Sequence, residues 1–430
     1  MITRKNPPGR LKPLPDLRPL LAGILLLAVL PAHSALLSLS EAEQRALEKD
    51  PVVGATEIRA EALEEDAVAD AQLPDPKLRT GLYNVPLDDF DIDREPTTQF
   101  RVGIQQAFPR GDTLVQKAGK TRAEAEVERA RARLERNRIL RDVRTTFLDL
   151  YFQVESARIV DASRSLFENL VEITQVQYGS GGSSQQDVLR AELELSRLDD
   201  RLSRIRTREE QARARLSRWL GELAWRPLRR ELPDLTVPPA TGEIEAKLDR
   251  HPEIAVRSAI IETHQRMVNI SREQYKPGWA LGAEYRKRFG DNPDGSDRAD
   301  MAAVMLTVDL PLFTAKRQDK RLAASQKRAN AAYLDRDNSY RKLREQLASA
   351  LATRKRLEER IARYESRLLR EAEENATAAL LAYQSGTTEF TGLMRARITE
   401  LDIRLQALKL RVELLKTRAN LLYLYSGEEQ

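Results

Sequence analysis

Proline decides where this chain can be helical. All twenty prolines of the 430-residue sequence fall within residues 1–109, 227–252, 277, 293 and 311. A proline inside a helix costs about 3 kcal/mol, so the two proline-free blocks, 110–226 and 312–430, are where very long helices are permitted. Inside each block glycines cluster at one place, Gly179, Gly181 and Gly182 in the first and Gly386 and Gly392 in the second, where a helix can reverse direction. Each block therefore reads as a helical hairpin. The first rises over 113–178 and returns over 184–220; the second rises over about 315–383 and returns to about 425. Rising arms of about 66–70 residues reach on the order of 100 Å at 1.5 Å per residue, too far for a compact globule.

The apolar spacing supports packed hairpins. Leu195, Leu198, Leu202 and Ile205 step by three, four and three. Ile398, Leu401, Leu405, Leu408, Val412, Leu415, Ala419 and Leu422 alternate the same steps over more than three heptads. That 3.5-residue repeat buries one seam against a neighbouring helix. By itself it says only that helices pack.

The chain also repeats itself. Asp50-Pro51 corresponds to His251-Pro252, Pro74 to Pro277, Pro109 to Pro311, and Tyr178-x-x-Gly181 to Tyr383-x-x-Gly386, at offsets of 201, 203, 202 and 205. The expected organisation is a leader over 1–34, a first repeat over 35–221, a proline-rich connector over 222–241 and a second repeat over 242–430. Each repeat carries a short helix, a strand pair and a long hairpin.

The strand pairs are expected near 77–85 and 98–108, and near 278–289 and 300–310. Phe100, Val102 and Ile104 alternate with Gln99, Arg101, Gly103 and Gln105; Trp279, Leu281, Ala283 and Tyr285 alternate with Ala280, Gly282, Glu284 and Arg286. Apolar-out, polar-in segments of about ten residues mark a transmembrane β-barrel. Four strands cannot close, and an open sheet edge is not tolerated in lipid, so such a barrel has to be shared between copies. The loops at 86–96 and 290–299 are acidic and read as solvent-facing; their spacing matches no EF-hand.

The first 34 residues hold Arg4, Lys5, Arg10, Lys12 and Arg18 against the single acid Asp16, then an apolar run over 20–30 and Ala32-His33-Ser34. This is the pattern of an export signal cut after Ser34; the alternative is an N-terminal anchor, for which the run falls short of the roughly 20 residues a helix needs to cross a bilayer. The leader also carries most of the formal charge of +5, so the pI of 9.2 reflects no basic stripe for nucleic acid. A charged fraction of 32% and a mean hydropathy of −0.53 exclude a helical membrane protein. The absence of cysteine excludes disulfides, thiolate metal sites, a thiol nucleophile and lipidation of an N-terminal cysteine.

Little is available for catalysis. Outside the leader the histidines are His251 and His264, and no HExxH, GxSxG, Walker A or GxGxxG pattern occurs. His251 stands before Pro252 at an expected helix start and reads as structural, while Trp219 and Trp225 read as packing at a helix end. No catalytic residue, cofactor or metal site is expected.

Taken in order, the leader, the two-fold repeat, strands ending in QAFPRG and DLPLF, and hairpin turns of the form Y-x-x-G-x(7)-[L/M] resemble the TolC-type outer-membrane efflux family over essentially the whole mature chain. The NVPLDDF and QAFPRG segments look more like its heavy-metal (CzcC/CusC-type) branch. The resemblance implies a mainly α fold with a small membrane β-barrel portion, a homotrimer with one twelve-stranded barrel, and a helical periplasmic tunnel. It further implies an exit duct in the outer membrane of a Gram-negative bacterium, most of it periplasmic and without a lipid anchor. The duct would conduct metal ions or drugs from an inner-membrane pump of the proton-driven RND type through a periplasmic adaptor. The alternative is a soluble periplasmic coiled-coil adaptor or scaffold, which leaves the four strands unexplained.

The hairpin turns, YGSGGSSQQDVLRA at 178–191 and YQSGTTEFTGLMRA at 383–396, resemble the family's periplasmic tips. The adaptor-docking residues implied are Tyr178, Gly181, Gly182 and Leu189 in the first and Tyr383, Gly386, Thr388, Leu393 and Met394 in the second. The family's second tip carries two aspartates that narrow the pore; here those positions hold Gly392 and Arg395, and the matching first-tip positions hold Asp187 and Arg190. The aperture is therefore expected to be a mixed-charge ring, Asp187 linked to Arg190 and Arg395.

Overall fold

A computed structural model describes residues 36–48 and 50–425. The leader expected over 1–34 lies outside the described residues. Helices α1 (Leu39–Glu48) and α2 (Pro51–Asp70) lead into strands β1 (Lys77–Tyr83) and β2 (Gln99–Phe108), then the long α3 (Thr113–Gly179) and its return α4 (Gln185–Leu220). After a 3-10 turn and an irregular connector come α5 (Thr241–Lys247), α6 (Pro252–Glu273), β3 (Gly278–Arg288) and β4 (Met301–Asp309). The second hairpin rises through α7 (Gln318–Arg363) and α8 (Leu369–Gln384) and returns as α9 (Phe390–Tyr425).

The repeat is visible in the caps. Asp50 Oδ1 accepts from the Val52 and Val53 amides ahead of α2. At the equivalent place His251 Nδ1 accepts from the Glu253 amide ahead of α6. Proline follows in both, where its missing N–H costs nothing. His251 is fully buried, its Nε2 3.2 Å from the Tyr423 carbonyl oxygen and its ring edge-on to that tyrosine. With Nδ1 accepting, Nε2 carries the proton. Burial pushes the imidazole down to about 4.

The four strands form one antiparallel sheet in the order β1-β2-β3-β4. Register puts Leu78, Ile104, Ala283 and Val304 in one row and Phe108, Trp279 and Val308 in another. These residues share a face whose large side chains are open: Leu78 is 71% exposed, Val304 79% and Leu306 65%. The opposite face is polar and partly covered. Phe108 and Trp279 stack at 3.9 Å on the apolar face, at the end next to the helices, where an aromatic girdle belongs in a membrane barrel.

Apolar clusters hold the helices, a small one of Ala130, Leu134 and Val256 between α3 and α6 and three larger ones. At mid-length Phe147, Leu148, Leu150 and Tyr151 of α3 meet α1, α4 and α9 and take in Leu228 and Leu235 of the connector. The Tyr151 hydroxyl fixes that connector by donating to the Arg230 carbonyl oxygen at 2.9 Å. A second cluster joins both hairpins near their turns, and a third joins α5, α6, α7 and α9.

Three details differ from the sequence reading. Helix α9 is buried on more than one seam, because it lies against both α3 and α7; Ala396, Ala407, Leu410 and Thr417 are buried alongside the heptad residues. Between α7 and α8 the helix widens into a π turn over Tyr364–Leu368, a one-residue insertion that leaves no mark in proline spacing. Trp219 packs on the mid-length core, but Trp225 is 50% exposed.

Candidate periplasmic tips

Both turns are built by the same backbone device. At the first, the Gly182 amide reaches back to the Gln177 carbonyl at 2.8 Å; at the second, the Thr387 amide reaches back to the Ala382 carbonyl at 2.9 Å. The residue before each adopts a left-handed conformation, φ +77° at Gly181 and +70° at Gly386. A Cβ there meets its own carbonyl at a cost of roughly 1–2 kcal/mol, which is why the two Y-x-x-G sequences coincide.

Helix α4 then starts on a full capping box. Ser184 Oγ accepts from the Asp187 amide at 3.2 Å, and Asp187 Oδ2 accepts from the Ser184 amide at 3.3 Å and from its hydroxyl at 2.7 Å. Asp187 is thus committed to its own helix start. Within the protomer no ion pair joins it to Arg190 or Arg395, and neither arginine takes part in a salt bridge among the described residues. Gly392 and Arg395 lie exposed on the first turns of α9, and Arg190 is half-buried.

The tip residues divide by burial. Tyr178, Gly181, Gly182, Leu189 and Gly386 are exposed, while Tyr383 and Thr388 are half-buried. Leu393 at 0% and Met394 at 4% are enclosed in the core shared by the two hairpins, together with Phe167, Leu170 and Ala191. They hold the tip in place and present no surface to a partner.

Two elements of the tip escaped the sequence reading. Phe390, 1% exposed, opens α9 and packs edge-on against Tyr383 at 5.5 Å between ring centres; its place three and four residues before Leu393 and Met394 continues the apolar spacing, which was the available signal. The Tyr383 hydroxyl donates to Gln177 Oε1 at 2.6 Å, a link between the two turns that no spacing announces. Further along, Arg201 of α4 reaches Asp402 of α9 at 2.8 Å, and Glu400 sits 7% exposed between Arg397 and Arg404. Among the described residues no group of three or more His, Asp or Glu converges as a metal would need, and no helix is long and apolar enough to cross a membrane.

Residues 244–427 match the model of a family described as outer membrane efflux protein. No curated protein sequence matches the chain. Among solved structures the chain is similar to CusC, studied for its folding and transmembrane channel formation, with TM-score 0.74 at 14% identity over 91% of this chain and 92% of that one. It is equally similar to the outer-membrane channel OprN, with TM-score 0.75 at 18% identity over 91% and 90% of the two chains. The outer membrane protein VceC of Vibrio cholerae gives 0.73 at 17% identity over 90% and 96%. Scores this close favour no branch, the heavy-metal one included. The signature of outer membrane efflux proteins thus lies across the second repeat, and the fold of these channels extends over nine-tenths of the chain.

Proposed function

We propose that three copies of this chain enclose one duct that carries cargo from a periplasmic adaptor and an inner-membrane pump out through the outer membrane of a Gram-negative cell. The observation that supports it most is the sheet. Its one face is open and apolar, and its edges β1 and β4 are unpaired within the chain. Lipid accepts the first and forbids the second, so β4 of one copy pairs with β1 of the next, and three copies supply a twelve-stranded barrel. A soluble adaptor would leave that face exposed to water.

The long hairpins then form the periplasmic tunnel, with the turns at 178–191 and 383–396 at its inner end. Tyr178, Gly181, Gly182, Leu189 and Gly386 are the surface offered to the adaptor, whose partner pump we take to be of the proton-driven RND type. The Asp187, Arg190 and Arg395 ring is a link between copies, since each copy leaves both arginines unspent. Cysteines moved along β1, each combined with Val304→Cys in β4, test the assembly: at the register where the two edges meet they should crosslink into a ladder ending at the trimer in outer-membrane extracts. A processed chain that stays monomeric and soluble overturns the duct.

A further inference from the structure

The inward face of the sheet is basic. Opposite the apolar row, the same register aligns Gly81, Arg101, Arg286 and Met301 in one rung and Tyr83, Gln99 and Arg288 in the next. Below them Arg79 lies in the rung of Glu284, and Lys77 in that of Met305. Per chain this face carries five cations against Glu284 and Asp309, and the latter lies 3.8 Å from Arg110. The side chains of Arg101, Arg286 and Glu284 are 25%, 28% and 12% exposed, so they lie along this face of the sheet and do not dangle from a rim.

Their pairing leaves charge to spare. Glu284 receives Arg286 Nε at 2.6 Å and lies 3.9 Å from Arg101 Nε, one carboxylate between two guanidiniums. Arg101 stacks over the Tyr83 ring at 4.2 Å, and its Nε is buried with no hydrogen-bond partner. Arg288 spends Nε and Nη2 on a neutral acceptor, the Pro96 carbonyl oxygen, at 3.2 and 3.0 Å. None of this neutralises the rung pair, which sits toward the loop end of the strands, away from the helices.

We propose that Arg101, Arg286 and Arg288, repeated around the three-fold axis, form a basic belt in the outer half of the barrel that favours anionic cargo and disfavours bare metal cations. This rests on the duct reading and names the cargo chemistry of that duct. A ring of one sign on a low-dielectric wall raises the local concentration of the opposite sign by tenfold or more. The acids lie above the belt: the loop over 84–98 has five against Arg94, and that over 289–300 has four against Arg298. Several are held locally, Asp88 and Asp89 by Arg94 and Asp294 by Ser296. They form an acidic mouth, and the belt is the barrier behind it.

The lack of native cysteine allows a direct test in intact cells. Met305→Cys places a thiol on the inward face beneath the belt, and Leu306→Cys places one on the apolar face beside it. Anionic and cationic methanethiosulfonates of similar size are applied from outside and their reaction rates compared. At Met305→Cys, the added changes Arg101→Gln and Arg286→Gln should lower the anionic-to-cationic rate ratio about fivefold or more, whereas Glu284→Gln should raise it. An unchanged ratio in both backgrounds overturns the belt while leaving the duct intact. Labelling of Leu306→Cys as fast as Met305→Cys overturns the barrel itself, and the belt with it.

Discussion

The phenol of Tyr383 donates to Oε1 of Gln177 at 2.6 Å, so the turn of the second hairpin hangs on the last helical turns of the first. This bond adds a polar tie to the apolar core that the two turns share. Tyr383→Phe keeps the ring against Phe390 and removes one hydrogen bond, about 1 kcal/mol. We expect higher single-channel conductance in planar bilayers with little change in melting temperature. Unaltered conductance would show that the link does not restrain the aperture.

The core beneath the tips carries much more. Phe390 is enclosed by both hairpins, and Phe390→Ala should destabilise the tip by about 3–5 kcal/mol through lost burial and the cavity left behind. Limited proteolysis should then cut near 178–191 and 383–396 in the variant while sparing the wild type. Leu393→Ala should act the same way, by about 2–5 kcal/mol. Either substitution behaving as a surface change would contradict the packing.

Asp187 has a job that needs no partner copy. Asp187→Ala removes the carboxylate half of the capping box of α4 while the amide of residue 187 keeps its bond to Ser184 Oγ, so it should cost less than the roughly 1 kcal/mol of losing the N-cap itself; Asp187→Glu keeps a carboxylate at the third helical position, where glutamate suits the box. If Asp187 also closes the aperture, conductance rises with Asp187→Ala and with Arg395→Ala, which touches no cap. A rise in the first variant alone assigns Asp187 to the helix start only.

His251 makes stability depend on pH. Burial lowers its folded value to about 4 from the usual 6.5, so between those values the unfolded chain binds more protons. The stabilising contribution is complete above pH 6.5 and is lost as pH falls toward 4, on the order of 3 kcal/mol per chain. Thermal unfolding in detergent should show this slope. His251→Asn, which can still cap but does not titrate, should flatten it.

Gly386→Val forces a β-branched residue to φ +70° and should cost about 1–2 kcal/mol. Gly392→Ala is a contrast, since its backbone is ordinary and its new methyl would meet Thr388 Oγ1 at 3.0 Å, a side chain that can turn aside. The first should lower the melting temperature more than the second.

Proline spacing, the Y-x-x-G turns and two-residue alternation were enough to place the long helices, the reversals and the four strands, because each is a backbone property set by a few neighbouring residues. The family resemblance singled out Asp187, Arg190, Gly392 and Arg395, since their distance from a turn glycine is a count along the chain. What those residues touch could not be counted. That Asp187 turns back on Ser184, that Leu393 and Met394 point inward while Tyr178 and Leu189 point out, and that Tyr383 finds Gln177 are decided by how two hairpins dock. The same holds for the arginines of the sheet. Alternation puts Arg101 and Arg286 on polar faces of their own strands, but only the sheet register sets them side by side around one carboxylate, because register is fixed by pairing between strands nearly two hundred residues apart.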